Sequence, residues 1–178
     1  MKSNIIICCA DSSDAELLAD LGARTFSETF AAVNRAEDMA SYLSSAFTPA
    51  QLAAELADSR ALFFVAEVDG EAAGYAKLYQ GEPPACVTCD NSTELARIYV
   101  LEKWLGKSVG QALMRRCMDE ARQAGRRNVW LGVWQHNERA QAFYRKWGFR
   151  IVGQQVFRLG TDEQTDWVME RALFDEEH

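Results

Sequence analysis

The spacing of hydrophobic residues changes several times along the chain, between the period of a strand and that of a helix. The apolar run NIIICCA predicts a buried first strand. Ser13 and Glu16, three residues later, form a capping-box pattern, which predicts a helix that continues to about Thr29. RAEDMASYLSSAF predicts a second helix, and Thr48 followed by Pro49 predicts the start of a third.

The rest of the chain reads as strands interrupted by two helices. Asp69 and Gly70 separate two β-rich runs and predict a hairpin. The segments TELARIYVL, NVWLGVW, FRIVGQQVF and TDWVMERAL predict four further strands, and helices are predicted over 108–124 and 137–147. This order predicts a mixed β-sheet with helices packed on it, and residues 1–178 are expected to form a single domain.

Composition adds an expected location. The chain is 48% hydrophobic and 25% charged, values typical of a soluble globular protein. No apolar run approaches the roughly 18 residues of a membrane span. The start MKSNIIICCA has an apolar stretch too short for a signal peptide, so we expect a cytoplasmic protein that does not associate with a membrane.

The cysteines give little reason to expect a metal. Cys86 and Cys89 form a C-x-x-C pair, but no second pair accompanies it and the histidines are His136 and His178 alone. A structural zinc site needs more ligands than this. We therefore expect reduced thiols and no metal.

Charge is unevenly distributed along the chain. The net charge is −7, yet the segment 93–150 has 12 Lys and Arg against 5 Asp and Glu. A basic segment in an acidic protein is consistent with one anionic and one cationic ligand, although charges that merely solvate helix faces would give the same totals. The acidic balance and the lack of a recognised DNA-binding motif argue against direct nucleic-acid binding.

The segment WLGKSVGQAL contains the GKS of a nucleoside-triphosphate loop, but the glycine that the pattern needs five positions before Gly106 is replaced by Leu101. The segment instead lies between a predicted strand and a predicted helix. The unpaired N–H groups of such a helix start can bind a diphosphate, with Lys107 as a flanking charge. A loop glycine at Gly106 and a helix-packing glycine at Gly110 would explain the pattern almost as well.

The segments RIYVLEKWLGKSVGQAL and NERAQAFYRKWGF resemble the Gcn5-related N-acetyltransferase (GNAT) family, which binds acetyl-coenzyme A (acetyl-CoA). The resemblance implies an α/β (mixed α+β) GNAT fold, a twisted, mostly antiparallel sheet of about seven strands flanked by helices. The family pattern Q/R-x-x-G-x-G/A falls on 105–110, where Leu105 replaces Gln or Arg and Ser108 replaces a glycine. Ser108 is a reasonable N-cap there.

A more specific resemblance covers nearly the whole chain. TFSETF, YLSSAF, WLGVWQHNERAQAFYRKWGF and DEQTDWVM are similar to the bacterial spermidine/spermine N-acetyltransferase branch of that family. This implies a polyamine acceptor and direct transfer of the acetyl group in a ternary complex, without an acetylated cysteine. Pairing of family members also implies a possible homodimer.

The resemblance implies a role for several residues. Tyr144 would donate a proton to the departing thiolate, and Asn137, on the same helix face, would contact the pantetheine near its sulfur. Alternatively, Asn137 caps its helix and Tyr144 packs in the core. The remaining expected cofactor-binding residues are Ile98, Tyr99 and Val100, in a bulged strand that would pair with the pantetheine, and Gly106, Lys107, Ser108, Val109, Gly110 and Gln111 at the diphosphate.

Carboxylates are the candidates for work on the amine. Glu94 could relay the proton of the acceptor through water, or it could be a solvated strand-end carboxylate. Glu28, Glu37 and Asp38, in the first two helices, could attract a cationic substrate. Two other functions stay open: acetylation of another amine, such as a protein N-terminus, a lysine or a small molecule, and a non-catalytic acyl-CoA-binding regulator.

Overall fold

The computed structural model describes residues 3–174, which form one seven-stranded sheet in the order β1-β2-β3-β4-β5-β7-β6. The strands are β1 (Ile5–Cys9), β2 (Ala61–Val68), β3 (Glu71–Tyr79), β4 (Ser92–Val100), β5 (Asn128–Trp134), β6 (Arg150–Leu159) and β7 (Asp162–Ala172). β4 and β5 are parallel, and the other neighbouring pairs in this range are antiparallel. The expected mixed, mostly antiparallel sheet is confirmed.

Within residues 3–174, five α-helices cover the two faces of the sheet. They are α1 (Ala15–Phe30), α2 (Ala36–Ala46), α3 (Pro49–Ala57), α4 (Val109–Gln123) and α5 (Glu138–Lys146). The first three pack on one face, where they form a core with Phe63, Val65 and Tyr75. The last two pack on the opposite face, where Leu113 and Tyr144 belong to a second core. None of the helices within 3–174 combines the length and the apolarity needed to cross a membrane.

Local signals account for most of these elements. At the predicted hairpin, Asp69 and Gly70 have φ of 50° and 85°, the left-handed values that a two-residue turn between twisted strands requires. At the start of α3 the hydroxyl of Thr48 accepts the backbone N–H of Gln51 at 3.1 Å, as the cap pattern predicts. Both predictions are confirmed.

Two predictions at the amino terminus were wrong. The capping box is made by Asp11 and Asp14, not by Ser13 and Glu16, and it opens a short 3-10 helix before α1. Strand β1 is not buried, because it lies at the edge of the sheet, where Ile6 is 46% exposed. An apolar run alone does not distinguish an edge strand from a central one.

Strand β4 contains the irregularity that shapes the site. Leu78 on β3 is opposite Leu95, whereas its neighbour Lys77 is opposite Arg97, so Ala96 is an extra residue in β4. Such a β-bulge bends the strand and turns the following residues relative to their neighbours. The bulge expected in this strand is therefore present, three residues before Tyr99.

Candidate active site

The candidate active site is a cleft that passes through the sheet where β4 and β5 separate. In the described chain the two strands pair over 92–94 and 128–130, and then β4 stays with β3 while β5 stays with β7. The side of β4 that faces β5 thus has no neighbouring strand over 95–100. The resulting cleft has a volume of about 760 Å³ and is lined from both faces of the sheet.

The loop before α4 forms one wall of the cleft. Gly106 and Ser108 have φ of 73° and 69°, so two residues adopt the left-handed backbone conformation just before the helix begins at Val109. The first N–H groups of α4 have no acceptor within the helix, and they mark its positive end. Ser108 occupies the N-cap position, but its side chain makes no cap hydrogen bond, so the expected side-chain cap was wrong. Ser108 instead adopts a backbone conformation that favours glycine.

Most of the expected cofactor-binding residues meet at this cleft. Those that line it are Ile98, Tyr99, Val100, Gly106, Ser108, Gly110, Gln111, Asn137 and Tyr144. Two others do not. The side chain of Val109 is buried in the core, and Lys107 places its Nζ 4.9 Å from the centre of the Trp104 ring.

Helix α5 brings Asn137 and Tyr144 to the same cleft. Asn137 Oδ1 accepts the N–H of Ala140 at 3.2 Å, so Asn137 caps its helix and also lines the cleft. Tyr144 is 8% exposed and packs against Phe143 and Phe149. Burial raises the pKa of the Tyr144 phenol, which therefore keeps its proton at neutral pH. Asn137 thus caps its helix and Tyr144 packs in the core, and both residues also line the cleft.

A buried charge cluster supports β4 behind the cleft. The Nη1 and Nη2 of Arg97 and the Nζ of Lys77 donate to the Glu55 carboxylate, at 2.8 to 3.0 Å. Burial opposes the ionisation of Glu55, but the hydrogen bonds from Arg97 and Lys77 outweigh it and lower the pKa of the carboxyl. Arg97 also lines the cleft, so this cluster fixes the side chain that follows the bulge.

Glu94 lies where β4 and β5 are still paired, and it does not line the cleft. It is opposite Tyr79 on one side and Trp130 on the other. Burial raises the pKa of Glu94, and the charges of Lys77 and Arg97 act against that rise. The carboxylate expected to relay a proton thus lies within electrostatic reach of Lys77 and Arg97, two residues before the bulge.

The three acidic helix residues lie in different environments. Glu28 lines the cleft, and its carboxylate accepts the backbone N–H of Glu102 at 2.7 Å. Glu37 lies outside the cleft and pairs with Arg35 at 3.0 Å. Asp38 is 4% exposed and accepts the backbone N–H of Thr161 at 2.9 Å, which joins α2 to the turn between β6 and β7. Glu37 and Asp38 are therefore not part of the cleft, contrary to expectation.

The structure adds a carboxylate that sequence reasoning missed. Asp166, on β7, lines the cleft and is 9% exposed. Burial raises its pKa to about 6. The strand alternation contains a signal for it, because Asp166 and the core residue Val168 are two apart and so share a face of β7. A polar residue at an inward-facing strand position was the available clue.

Aromatic side chains surround this end of the cleft. Phe30 and Trp134 meet edge to face with their ring centres 6.3 Å apart, and Phe157 from β6 lines the same space. Rings and carboxylates together form a site suited to an organic cation. The opposite end, at the start of α4, is suited to an anion.

Comparison of the chain with known proteins identifies a family and several relatives. A family model described as the acetyltransferase (GNAT) family matches residues 25–149. An uncharacterised N-acetyltransferase of Mycobacterium tuberculosis is 38% identical over 161 residues, which cover 90% of this chain and 99% of that protein.

Two further proteins are similar to parts or all of the chain. The PaiA N-acetyltransferase of Thermoplasma acidophilum, solved in complex with coenzyme A, has the same fold, with a TM-score of 0.77 at 22% identity over 95% of this chain and 99% of that one. The streptothricin acetyltransferase of Streptomyces lavendulae is 34% identical over 99 residues, or 56% of this chain and 49% of that protein.

Proposed function

The chain belongs to the GNAT family of acetyltransferases, and on that premise we propose that its cleft brings acetyl-CoA and a cationic primary amine together for direct acetyl transfer. The enzyme is an acetyl-CoA-dependent N-acetyltransferase of the GNAT type. The observation that carries the proposal is the cleft itself, which crosses the sheet and joins an anion-binding helix start to an acidic, aromatic pocket.

Acetyl-CoA occupies the side of the cleft formed by α4 and α5. The backbone N–H groups of 106–111 bind its diphosphate, since glycine at 106 and 110 leaves room for a close approach. The pantetheine lies along the free side of β4 at Ile98, Tyr99 and Val100, as an added strand would. The Nδ2 of Asn137 has no acceptor among the described residues, and it donates to the pantetheine near the sulfur.

Tyr144 donates the proton that the departing thiolate needs. Its raised pKa keeps the phenol protonated until the carbon–sulfur bond breaks. The transfer uses no acetylated cysteine. Cys117 is fully buried in the core, and burial raises its pKa to about 12, so it offers neither access nor a thiolate.

The amine enters from the face covered by α1 and α2. Glu28 and Asp166 supply negative charge there, while Phe30, Trp134 and Phe157 supply ring faces, a combination that attracts ammonium groups. A polyamine fits this chemistry, and the resemblance to the spermidine/spermine branch favours spermidine as the acceptor. A long polycation would also benefit from the acidic balance of the chain outside 93–150.

The test is the release of free thiol from acetyl-CoA by the purified protein. Spermidine should accelerate the release strongly over the rate without amine, and mass spectrometry should show one added acetyl group on the polyamine. Release with a different amine alone would contradict the polyamine acceptor. Binding of acetyl-CoA without release for any amine would contradict the enzyme and favour a regulator.

A small-molecule amine of another kind is the second candidate acceptor. The similarity to a streptothricin acetyltransferase over 99 residues favours it. The same assay separates the two candidates when spermidine, a streptothricin, lysine and a peptide with a free N-terminus are compared at equal concentration. The acceptor with the highest kcat/KM identifies the substrate class.

A further inference from the structure

We propose that Asp166 is the catalytic carboxylate that accepts the proton of the incoming ammonium group. The inference rests on the proposed function, because it assigns a base to the same cleft. Asp166 lies on β7, a strand that was not expected from the sequence to contribute to the chemistry. It replaces Glu94 as the candidate base.

The position of Asp166 follows from the pairing of β7 with β5 on one side and with β6 on the other. Asp166 is opposite Trp134 on β5 and opposite Gln155 on β6. A side chain on Gly132 would begin 2.5 Å from the Nε2 of Gln155 and 3.3 Å from the Oδ2 of Asp166, so these two groups occupy the space that the glycine leaves. Asp166 itself lines the cleft, in the part of the sheet where β5 has separated from β4.

Asp166 also lacks the cation that the carboxylates of Glu55 and Glu170 have. Glu55 binds Arg97 and Lys77, and Glu170 binds Arg150 at 3.2 Å and the amide of Asn128 at 2.9 Å. Within 3–174, Asp166 has no ion pair and no hydrogen-bond donor to its side chain. A buried carboxylate without a partner is costly, and an ammonium group from the substrate would supply the partner.

Titratable groups from several elements surround the cleft that Asp166 lines. Tyr42 on α2 interacts with Asp166 electrostatically. The other charged residues that line the cleft are Glu28, Arg97, Glu102, Arg139 and Lys146. The neighbours on β5 and β6, Trp134 and Gln155, are neutral. The raised pKa, near 6, leaves Asp166 ionised at pH 7 to 8, yet more basic than an ordinary aspartate.

The proposed reaction moves two protons from the substrate nitrogen, one to Asp166 and one to Tyr144. Asp166 takes one proton from the ammonium group, and the neutral amine forms a bond to the thioester carbonyl carbon. As the carbon–sulfur bond breaks, Tyr144 gives its proton to the sulfur. The second proton of the nitrogen restores Tyr144, and Asp166 releases its proton to water. The products are the acetylated amine and free coenzyme A thiol.

The first test replaces the carboxylate by a neutral side chain of the same shape, Asp166→Asn. Loss of a general base typically costs about 10²-fold or more, so kcat/KM for spermidine, or for the acceptor that the panel identifies, should fall by about that factor. The acid limb of the wild-type pH profile, with a midpoint near pH 6, should disappear, while the Kd for acetyl-CoA stays within about twofold. An amine whose own pKa lies below the assay pH needs no base, and it should recover most of the loss.

Three matched variants separate Asp166 from other carboxylates and titrating groups. Asp119→Asn makes the same substitution at an exposed position of α4, and His136→Gln removes an exposed imidazole outside the cleft. Both should keep the activity and the acid limb. Glu94→Gln removes the alternative base, and its pH profile should also keep the acid limb.

Several outcomes would overturn the assignment. These are a kcat/KM of Asp166→Asn within about threefold of wild type, a loss confined to KM with the acid limb intact, an equal loss for low-pKa amines, or an acid limb that vanishes in Glu94→Gln instead. If Asp166→Asn fails to bind acetyl-CoA, Asp166→Glu, which keeps the carboxylate, takes its place and must show a displaced acid limb. Wild-type protein inactive with every amine would contradict the proposed function instead.

Discussion

The two ends of the cleft are built in different ways. The end at α4 and α5 consists largely of backbone, with two left-handed residues, two glycines and the first N–H groups of a helix within 106–111. The end at α1 and β7 consists of side chains that are far apart in the sequence, from Glu28 to Asp166. The backbone groups of the α4 end are suited to a cosubstrate that a whole family shares. The side chains of the β7 end are suited to an acceptor that differs from one member to another.

Because the two ends are built differently, we expect substitutions at each end to affect different ligands. Filling the α4 end should weaken acetyl-CoA binding whatever the amine is. Changes at the β7 end should act on the amine and leave acetyl-CoA binding unchanged. Tyr144 lies between the two and should affect the chemical step itself.

The largest effect is expected for Tyr144→Phe, which removes the proton donor and keeps the ring. We expect kcat to fall by about 10²- to 10³-fold, because the thiolate would leave without a proton. Acetyl-CoA should bind as in wild type by calorimetry. Tyr79→Phe makes the same change outside the cleft and should be silent. Equal activity of the two variants would remove Tyr144 from the mechanism.

Gly110→Val should come next, by closing the α4 end. A Cβ at this position would lie 3.7 Å from the Phe143 ring and 3.8 Å from Val100, so the two further methyl groups must extend into the lined space. The Kd for coenzyme A should rise at least about tenfold, or ~1.4 kcal/mol. Ala112→Val, on the same helix but outside the cleft, is the control. Unchanged affinity in Gly110→Val would place the diphosphate elsewhere.

Gly132→Ala should give a smaller effect at the opposite end. Its Cβ would lie 2.5 Å from Gln155 Nε2, which must turn away, and 3.3 Å from Asp166 Oδ2. One added methyl group in a pocket is worth about 1 kcal/mol, so KM for the amine should rise about three- to tenfold. KM for acetyl-CoA, measured in the same assay, should not change. A rise in both constants would show that the two ends are not independent.

The smallest effect is expected for Ser108→Gly, which relieves the left-handed serine. The strain is about 1–2 kcal/mol, offset in part by the greater freedom of glycine in the unfolded chain. A net gain of ~0.5–1 kcal/mol should raise Tm by about 1–4 °C. Ser59→Gly, at an exposed turn residue without positive φ, should lower Tm instead. A lower Tm for Ser108→Gly would contradict the strain.

Local patterns predicted the fold well because they act over a few residues. The Asp69-Gly70 turn, the cap at Thr48 and the apolar faces of the helices each depend on neighbours in the chain. The same holds for the α4 end of the cleft, where a loop and a helix start are adjacent in sequence. The resemblance to a known family placed Tyr144 and Asn137 correctly at the cleft, although their roles there remain predictions.

Errors arose where an assignment depended on distant parts of the chain. β1 has the composition of a buried strand, but its place at the sheet edge depends on which strands pair. Asp38 has the charge of a cation-binding residue, but Thr161, more than a hundred residues away, occupies its carboxylate. Glu94 lies on the cofactor strand, six residues before Val100, but the point where β4 and β5 separate leaves it outside the cleft.

The sequence by itself determined the order of helices and strands, the glycine-containing helix start and the enzyme family, because each is encoded in short segments. The tertiary structure alone decided where the sheet opens, which acidic residues within 3–174 reach the opening and which of those lack a cation. The reason is physical. Burial and charge pairing depend on which residues are neighbours in space, and strand pairing across the sheet sets those neighbours.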